Sequence, residues 1–308
     1  MRDIVKRSGG DIIKALNIPE LISSFLDSQD IRAISKEVYR KGLERLWTWL
    51  AANGISQPDR QSILHFKLFL QESGLSANTV NSYLIGVRRF FAFLEGSRLY
   101  PDIAKTIKGL KQPTGHLREA PTLSQAQEIL SQIDISSLPG KRDFAMINLM
   151  LRTGVRTIEV IRANIEDIRQ QAGEALLFVQ GKGRDSKDEF VLLTEKALRP
   201  ILDYLEARGK TKPEDPLFVS HSDRNSGERL TTRTVRGISK FYLREIGLNK
   251  KTLSAHSFRH FFATQSLKGG AAILQVQESM RHASIETTQR YVHNLSRIED
   301  AAERYVDF

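Results

Sequence analysis

From Ser76 to Glu95 the apolar residues Val80, Leu84, Val87, Phe91 and Leu94 recur every three or four positions, a spacing that makes one face only if the segment is an α-helix. Arg88 and Arg89 lie beside that stripe. A second stripe, Tyr39, Leu43, Leu46 and Leu50, runs through SKEVYRKGLERLWTWLAANG, with Lys36, Arg40 and Lys41 largely off it and a stop near Gly54. Helices of this kind must bury their apolar faces against one another. Residues 17 to 103 are therefore expected to form a small helical bundle, preceded by a short extension, residues 1 to 16.

The chain has 308 residues, more than one hydrophobic core usually serves, so two domains are expected. Forty per cent of the residues are apolar, among them 15 Phe, which is enough to fill real cores and argues against disorder. No Cys occurs, which excludes disulfides, Cys-ligated zinc and a thiol nucleophile. The N-terminal stretch MRDIVKRSGGDIIKALN lacks the apolar centre of a signal peptide, and no run approaches eighteen apolar residues. A cytoplasmic protein without a membrane partner is the expectation.

Residues 104 to 120 read as a basic linker, because the stretch IAKTIKGLKQPTGHLR has no acidic residue and carries Lys105, Lys108 and Lys111 three apart. The second domain, residues 121 to 308, is expected to open with a capping box from Ser124 to Gln127 and to continue mostly as helices. ALLFVQ and FVLLT interrupt that pattern. Around the polar stretch GKGRDSKDE they read as a β-hairpin with Lys182 at its tip. The expected fold class is mainly α with a small β-hairpin or sheet: an N-terminal helical domain, then a mixed α/β domain ending in a tail helix.

Lys and Arg number 46 against 36 Asp and Glu, a formal charge of +10, which favours an anionic partner such as nucleic acid. A basic surface can equally be a solvated one. Chemistry has to be sought in short segments. In LRTGVRTIEVI, Gly154 ends one helix and Arg156 opens the next, where Arg could bind an anion or simply pair on the surface with Glu159. Lys182, between glycines, could donate a proton or merely be solvated. In LSAHSFRHFFATQ, His256 and Arg259 share a helix face suited to phosphate, with Phe258, Phe261 and Phe262 on the buried side, while a structural histidine competes for His256 and more so for His260. In SMRHASIETTQRYVHN, His282 precedes Tyr291 by nine residues, reachable across a turn. Tyr is usually a core residue, and its phenol, with a pKa of about 10, is a poor nucleophile unless positive charge surrounds it.

Taken in order, these segments resemble the catalytic domain of the tyrosine recombinases, the family of phage integrases and Xer-type resolvases. LRTGVRTIEV resembles the family's first arginine box, GKG its hairpin lysine, HSFRHFFAT its His-x-x-Arg box, and MRHASIETTQRYVH its final His and Tyr box. The likeness runs from about residue 121 to the C-terminus, and residues 17 to 103 resemble the family's core-binding domain more loosely. One position departs: the family commonly has Gly where this chain has Arg281. A bulky residue at a helix-ending position leaves the local turn, and the placement of His282, for the structure to decide.

The resemblance implies that Tyr291 attacks the scissile phosphate to give a 3′-phosphotyrosyl link, with Arg156 and Arg259 clamping the non-bridging oxygens and His282 adding a hydrogen bond. Lys182 would protonate the leaving 5′-oxygen, His256 would assist proton transfer, and Glu159 would orient Arg156. No cofactor is implied, since the covalent link retains the phosphodiester energy, and no GxxxxGK[ST] pattern is present. The implied partners are a duplex recombination site and further copies of the chain, in a tetrameric synapse with the tail helix SRIEDAAERYVDF docked in trans, with or without DNA-bending proteins. The two domains would form a C-shaped clamp on duplex DNA. From position alone, Arg40, Thr79, Arg88, the three linker lysines, Arg233 and Arg236 are candidate DNA contacts. A type IB topoisomerase and a catalytically silent DNA-binding protein are the alternatives.

Overall fold

The structure is a computed structural model that describes residues 17–111, 119–181, 185–289 and residue 306. The chain divides into two compact units, Met1–Gly115 and His116–Phe308.

The described part of the first unit holds four helices, α1 (Ile18–Ser28), α2 (Ala33–Ala52), α3 (Arg60–Glu72) and α4 (Ala77–Gly96). The stripe read from the sequence is the buried face of α4, where Val80, Leu84, Val87, Phe91 and Leu94 are all essentially inaccessible. Ser76 caps this helix by accepting from Thr79 N–H. Helices α2 and α4 cross through a reciprocal exchange of small and large residues. A Cβ on Gly42 would lie 3.0 Å from Tyr83 Cα, and one on Gly86 would lie 3.1 Å from Tyr39 Cα, so each glycine admits the other helix's tyrosine. Around this crossing Phe25, Phe66, Phe90 and Phe91 are fully buried, each contributing about 1.5–3 kcal/mol relative to exposure.

The stretch after α4, read as the beginning of a linker, is packed into this unit as far as Leu110. Ala104 and Ile107 are core residues. Asn81 accepts from Leu110 N–H and donates to its carbonyl, Arg88 Nη1 donates to Ile107 O, and Lys67 Nζ to Lys108 O. The absence of acidic residues concealed two apolar positions, at 104 and 107, spaced to reach one core.

The second unit begins with α5 (Leu123–Ser131), α6 (Leu138–Thr153) and α7 (Thr157–Arg162). The capping box is formed by Thr122 and Gln125, not by Ser124 and Gln127: Thr122 Oγ1 accepts from Gln125 N–H and Gln125 Oε1 accepts from Thr122 N–H. Both registers satisfy the pattern in PTLSQAQ. The earlier one buries Ala126 and Ile129 as the helix requires.

Three antiparallel strands follow, β1 (Ile168–Gln171), β2 (Glu174–Val179) and β3 (Glu189–Leu192), in the order β1-β2-β3. The β2–β3 pairing is the hairpin expected from the sequence. Strand β1 was not legible, since Arg169, Gln170 and Gln171 are polar and exposed, but positive φ at Ala172 and Gly173 gives the tight two-residue turn that folds it back on β2. Lys182 lies outside the described residues. Before it, Gly181 O accepts from Arg162 Nη1 at 3.3 Å; after it, Lys187 Nζ meets buried Asp167 Oδ2 at 2.5 Å.

Helices α8 (Glu195–Arg208), α9 (Thr232–Glu245), α10 (Ala255–Lys268) and α11 (Ile273–Met280) follow among the described residues. One apolar core joins α5, α6, α8, α9, α10 and the inner face of the sheet through residues such as Met146, Leu177, Ile201, Val235 and Phe258. Among the described residues no helix is long and apolar enough to cross a membrane.

Candidate active site

Helix α6 ends at Gly154, which adopts the left-handed conformation with φ 63°. Two demands meet there. Its positive φ favours glycine, and a Cβ at this position would lie 2.5 Å from the Phe262 ring of α10. The sharp stop places Arg156 two residues later as the N-cap of α7, and lets the carbonyl of Gly154 accept from Arg259 Nη1.

Arg259 lies on α10, whose N-cap is Ser254, and is only 2% exposed. Phe258 and Phe261 anchor the other side of the helix in the core, as the sequence suggested, whereas Phe262 is only partly buried and Ala263 is the third buried position. The second Nη of Arg259 donates to Met280 O, and Arg156 Nη2 donates to the next carbonyl, Arg281 O, at 3.1 Å. Two guanidiniums separated by about a hundred residues of sequence thus converge on consecutive carbonyls at the C-terminal end of α11. Orphan carbonyls at a helix end carry partial negative charge, which suits two cations.

Arg156 does pair with Glu159, but this is no surface pair. Glu159 is fully buried and accepts from Arg156 Nη1 at 2.8 Å and from Arg156 N–H at 2.7 Å. Its other guanidinium neighbour is Arg281, whose Nη2 approaches Glu159 Oε2 at 2.6 Å. Burial pushes the Glu159 carboxyl up, yet the Arg281 guanidinium, the Arg156 N–H and the Arg156 guanidinium outweigh it and hold the group below the ordinary carboxylate range.

Arg281 resolves the question posed by the missing glycine. It takes the left-handed conformation, φ 53° and ψ 50°, which in a non-glycine residue costs about 1–2 kcal/mol. The turn is therefore kept despite the side chain. Its N–H donates to Glu278 O and that of His282 to Gln277 O, the pattern of a left-handed helix stop.

His282 follows directly, half-buried, with Nδ1 2.9 Å from the Thr288 hydroxyl. Burial, reinforced by the guanidiniums of Arg259, Arg156 and Arg281 and by the His256 ring, pushes its pKa down to about 4. Arg259 and Arg156 hold the carbonyls of Met280 and Arg281, the two residues immediately before His282. His256 is exposed at the start of α10, and its ring stands perpendicular to that of His260 with centroids 4.8 Å apart. Of the expected site residues, Arg156, Glu159, His256, Arg259 and His282 are brought together. Tyr291 and Lys182 lie outside the described residues, as does the tail sequence apart from Val306. Two members escaped the sequence reading: Thr288, and Arg281 as a charge within the site. A bulky residue where a helix must stop was the only signal for the latter.

The candidate DNA contacts have mixed surroundings. Arg233 and Arg236 are exposed one turn apart on α9, and Lys105, Lys108 and Lys111 are exposed in the first unit. Arg88 is half-buried and holds Ile107 O, Thr79 closes the N-cap of α4 with Ser76, and Arg40 pairs with Glu37 at 3.6 Å. Among the described residues no group of three or more His, Asp or Glu is placed to hold a metal ion.

Comparison with known proteins agrees with this arrangement. Residues 122–297 match the phage integrase family model, and residues 24–96 match the phage integrase N-terminal SAM-like domain. The chain is 31% identical over 288 residues to tyrosine recombinase XerD of Listeria monocytogenes serotype 4b (strain F2365), covering 89% of this chain and 94% of that protein. It is 32% identical to tyrosine recombinase XerC of Roseiflexus sp. (strain RS-1), covering 87% and 85%. In fold it is similar to the XerH site-specific recombinase in a post-cleavage complex with a palindromic difH substrate, with a TM-score of 0.74 at 22% identity over 95% of this chain and 86% of that one. A second fold likeness, to the Tn1549 transposon integrase in complex with transposon right end DNA, has a TM-score of 0.69 at 16% identity over 90% and 94%. A family model spanning the unit that carries the paired arginines, and relatives aligned along nearly the whole chain, make this protein a member of the phage integrase family, the tyrosine recombinases.

Proposed function

We propose that this chain breaks and rejoins duplex DNA at specific sites, with Tyr291 as nucleophile. The phenol oxygen attacks the scissile phosphorus, the bond to the 5′-oxygen breaks, and Lys182 supplies the proton to that leaving oxygen. The phosphotyrosyl link is then attacked by a 5′-hydroxyl, which restores the phosphodiester and returns the phenol. Arg156 and Arg259, held at the carbonyls of Arg281 and Met280, turn their remaining N–H groups to the non-bridging oxygens, where charge grows in the transition state. His282 adds a hydrogen bond, and His256, at the exposed edge, assists proton transfer. No cofactor is assigned a part in this sequence.

One observation carries the reading: two guanidiniums brought from distant elements meet on adjacent carbonyls, and the histidine next in sequence stands nine residues before Tyr291. Such a cluster supplies the positive charge that a phenol nucleophile needs.

Residues 17 to 110 would bind the core of the site with residues 111 to 120 as the link, and residues 121 to 308 would carry out the chemistry on cytoplasmic DNA. Synapsis of two sites requires four copies, with the tail helix docking on a neighbour and bending proteins assisting where the site demands it.

Nicked duplexes of random sequence, incubated with the full chain and resolved on denaturing gels, test this. Covalent adducts should form with the parent and vanish in Tyr291→Phe while duplex binding persists. Adducts in the phenylalanine variant would refute the nucleophile. Relaxation of supercoils by a monomer without strand exchange would select the topoisomerase reading, and tight binding with no parental adduct a silent DNA-binding protein.

A further inference from the structure

We infer that Arg281 is a positioning residue for Arg156, acting through Glu159 and through its own carbonyl oxygen. The inference rests on the phosphoryl-transfer reading above and extends it to a residue that replaces the family's usual glycine.

The geometry is a closed ring. Arg156 Nη1 meets Glu159 Oε1 at 2.8 Å, Glu159 Oε2 meets Arg281 Nη2 at 2.6 Å, and the backbone of Arg281 returns to Arg156 through its carbonyl, 3.1 Å from Arg156 Nη2. Both outer nitrogens of Arg156 are thereby tied, directly or through one carboxylate, to residue 281. Two contacts fix the plane of a guanidinium, and a planar fork is useful against phosphate only when its plane is fixed. The Arg281 side chain is only 4% exposed, with its Nη1 donating to Ser279 O, so it is itself held rather than loose.

Charge gives the second argument. Glu159 alone would cancel the charge of Arg156 just where negative charge must be stabilised. With Arg281 on its far oxygen, one carboxylate is shared by two guanidiniums, and the pocket keeps an excess of positive charge together with Arg259. The groups facing Glu159 are Arg156 at its own helix start and Arg281 in the turn after α11. Arg259 and His256 of α10 and His282 lie around the same pocket.

Side chain and backbone can be separated experimentally, because glycine at 281 keeps the carbonyl and suits the left-handed turn while deleting the guanidinium. Burial would then raise the Glu159 carboxyl without its strongest opposing cation, so it would take up a proton at higher pH than in the parent and release Arg156.

Single-turnover adduct formation on nicked random duplexes, at saturating protein and from pH 8 down to pH 5.5, tests this with the full chain, Arg281→Gly and Arg281→Lys. Arg281→Gly should bind duplex as tightly as the parent but cleave about tenfold more slowly at pH 7. The deficit should widen as the pH falls, and Arg281→Lys should recover most of the rate and remove the widening. A constant deficit at every pH, equal deficits in both variants, or no deficit would overturn the inference while leaving the phosphoryl-transfer reading intact. A parent chain that forms no adduct would instead overturn that reading, and this inference with it.

Discussion

His282 presents Nδ1 to the Thr288 hydroxyl at 2.9 Å, and Thr288 is completely buried. A phosphate oxygen can only accept, so if His282 is to donate to one through Nε2, Thr288 must donate to Nδ1 and fix that tautomer. Burial, reinforced by the cations around the ring, keeps it neutral.

This has a consequence for pH. The pKa of His282 is lowered from 6.5 to about 4, so between those values the unfolded chain binds the proton and the folded chain does not. Stability present above about pH 6.5 is therefore lost as the pH falls toward 4. NMR titration of the ring should give a midpoint near 4, and urea unfolding of Arg281-containing parent protein should weaken through this window more than that of His282→Asn. A midpoint at or above the ordinary value would contradict the burial.

Arg259→Lys should abolish the double contact to Gly154 O and Met280 O, since an ammonium cannot reproduce the fork. Loss of one transition-state donor costs roughly 100-fold to 1000-fold in rate. Single-turnover adduct formation would show it, and a near-parental rate would refute the clamp.

Glu159→Ala leaves two guanidiniums facing each other around an empty buried site. Breaking a buried ion pair by removing one partner destabilises by about 3–5 kcal/mol. Chemical unfolding of the second unit should report a loss of that order, and a change within error would mean that water replaces the carboxylate.

In the first unit, Gly86→Val should force α2 and α4 apart against Tyr39 and lower the stability of the bundle by about 1–3 kcal/mol. Gly54→Val makes an informative contrast: nothing lies near its Cβ, so any loss there comes from its positive φ of 66° alone. Thermal unfolding monitored at Trp47 and Trp49, both in this unit, separates the two. Equal effects would mean that the crossing tolerates a larger residue.

Arg233 and Arg236 stand exposed one helical turn apart on α9. If both meet phosphates, replacing each with Ala should reduce the salt dependence of duplex binding by about one unit of slope. Unchanged slopes measured by fluorescence anisotropy would remove them from the interface.

Helical periodicity alone identified α2, α4 and their buried stripes, because a 3.6-residue repeat is local and each residue reports on its own face. Gly154 as a helix stop, Arg156 as the next helix start and the His256–Arg259 pair on α10 were likewise readable, since turns and i,i+3 spacing are short-range. The register of the Thr122 cap and the existence of β1 were not. Two capping patterns overlap in one stretch, and an edge strand of exposed polar residues has no apolar alternation to betray it.

What only the tertiary structure decided is how charge is distributed in the site. Whether the Arg156–Glu159 pair is a solvated decoration or a buried hub depends on Arg281, 122 residues beyond Glu159 in sequence and brought beside it by the packing of α10 and α11. Electrostatic energy depends on distance and dielectric, neither of which is a property of the order of residues along the chain. The sequence could name the charges; folding alone determined which of them share a desolvated pocket.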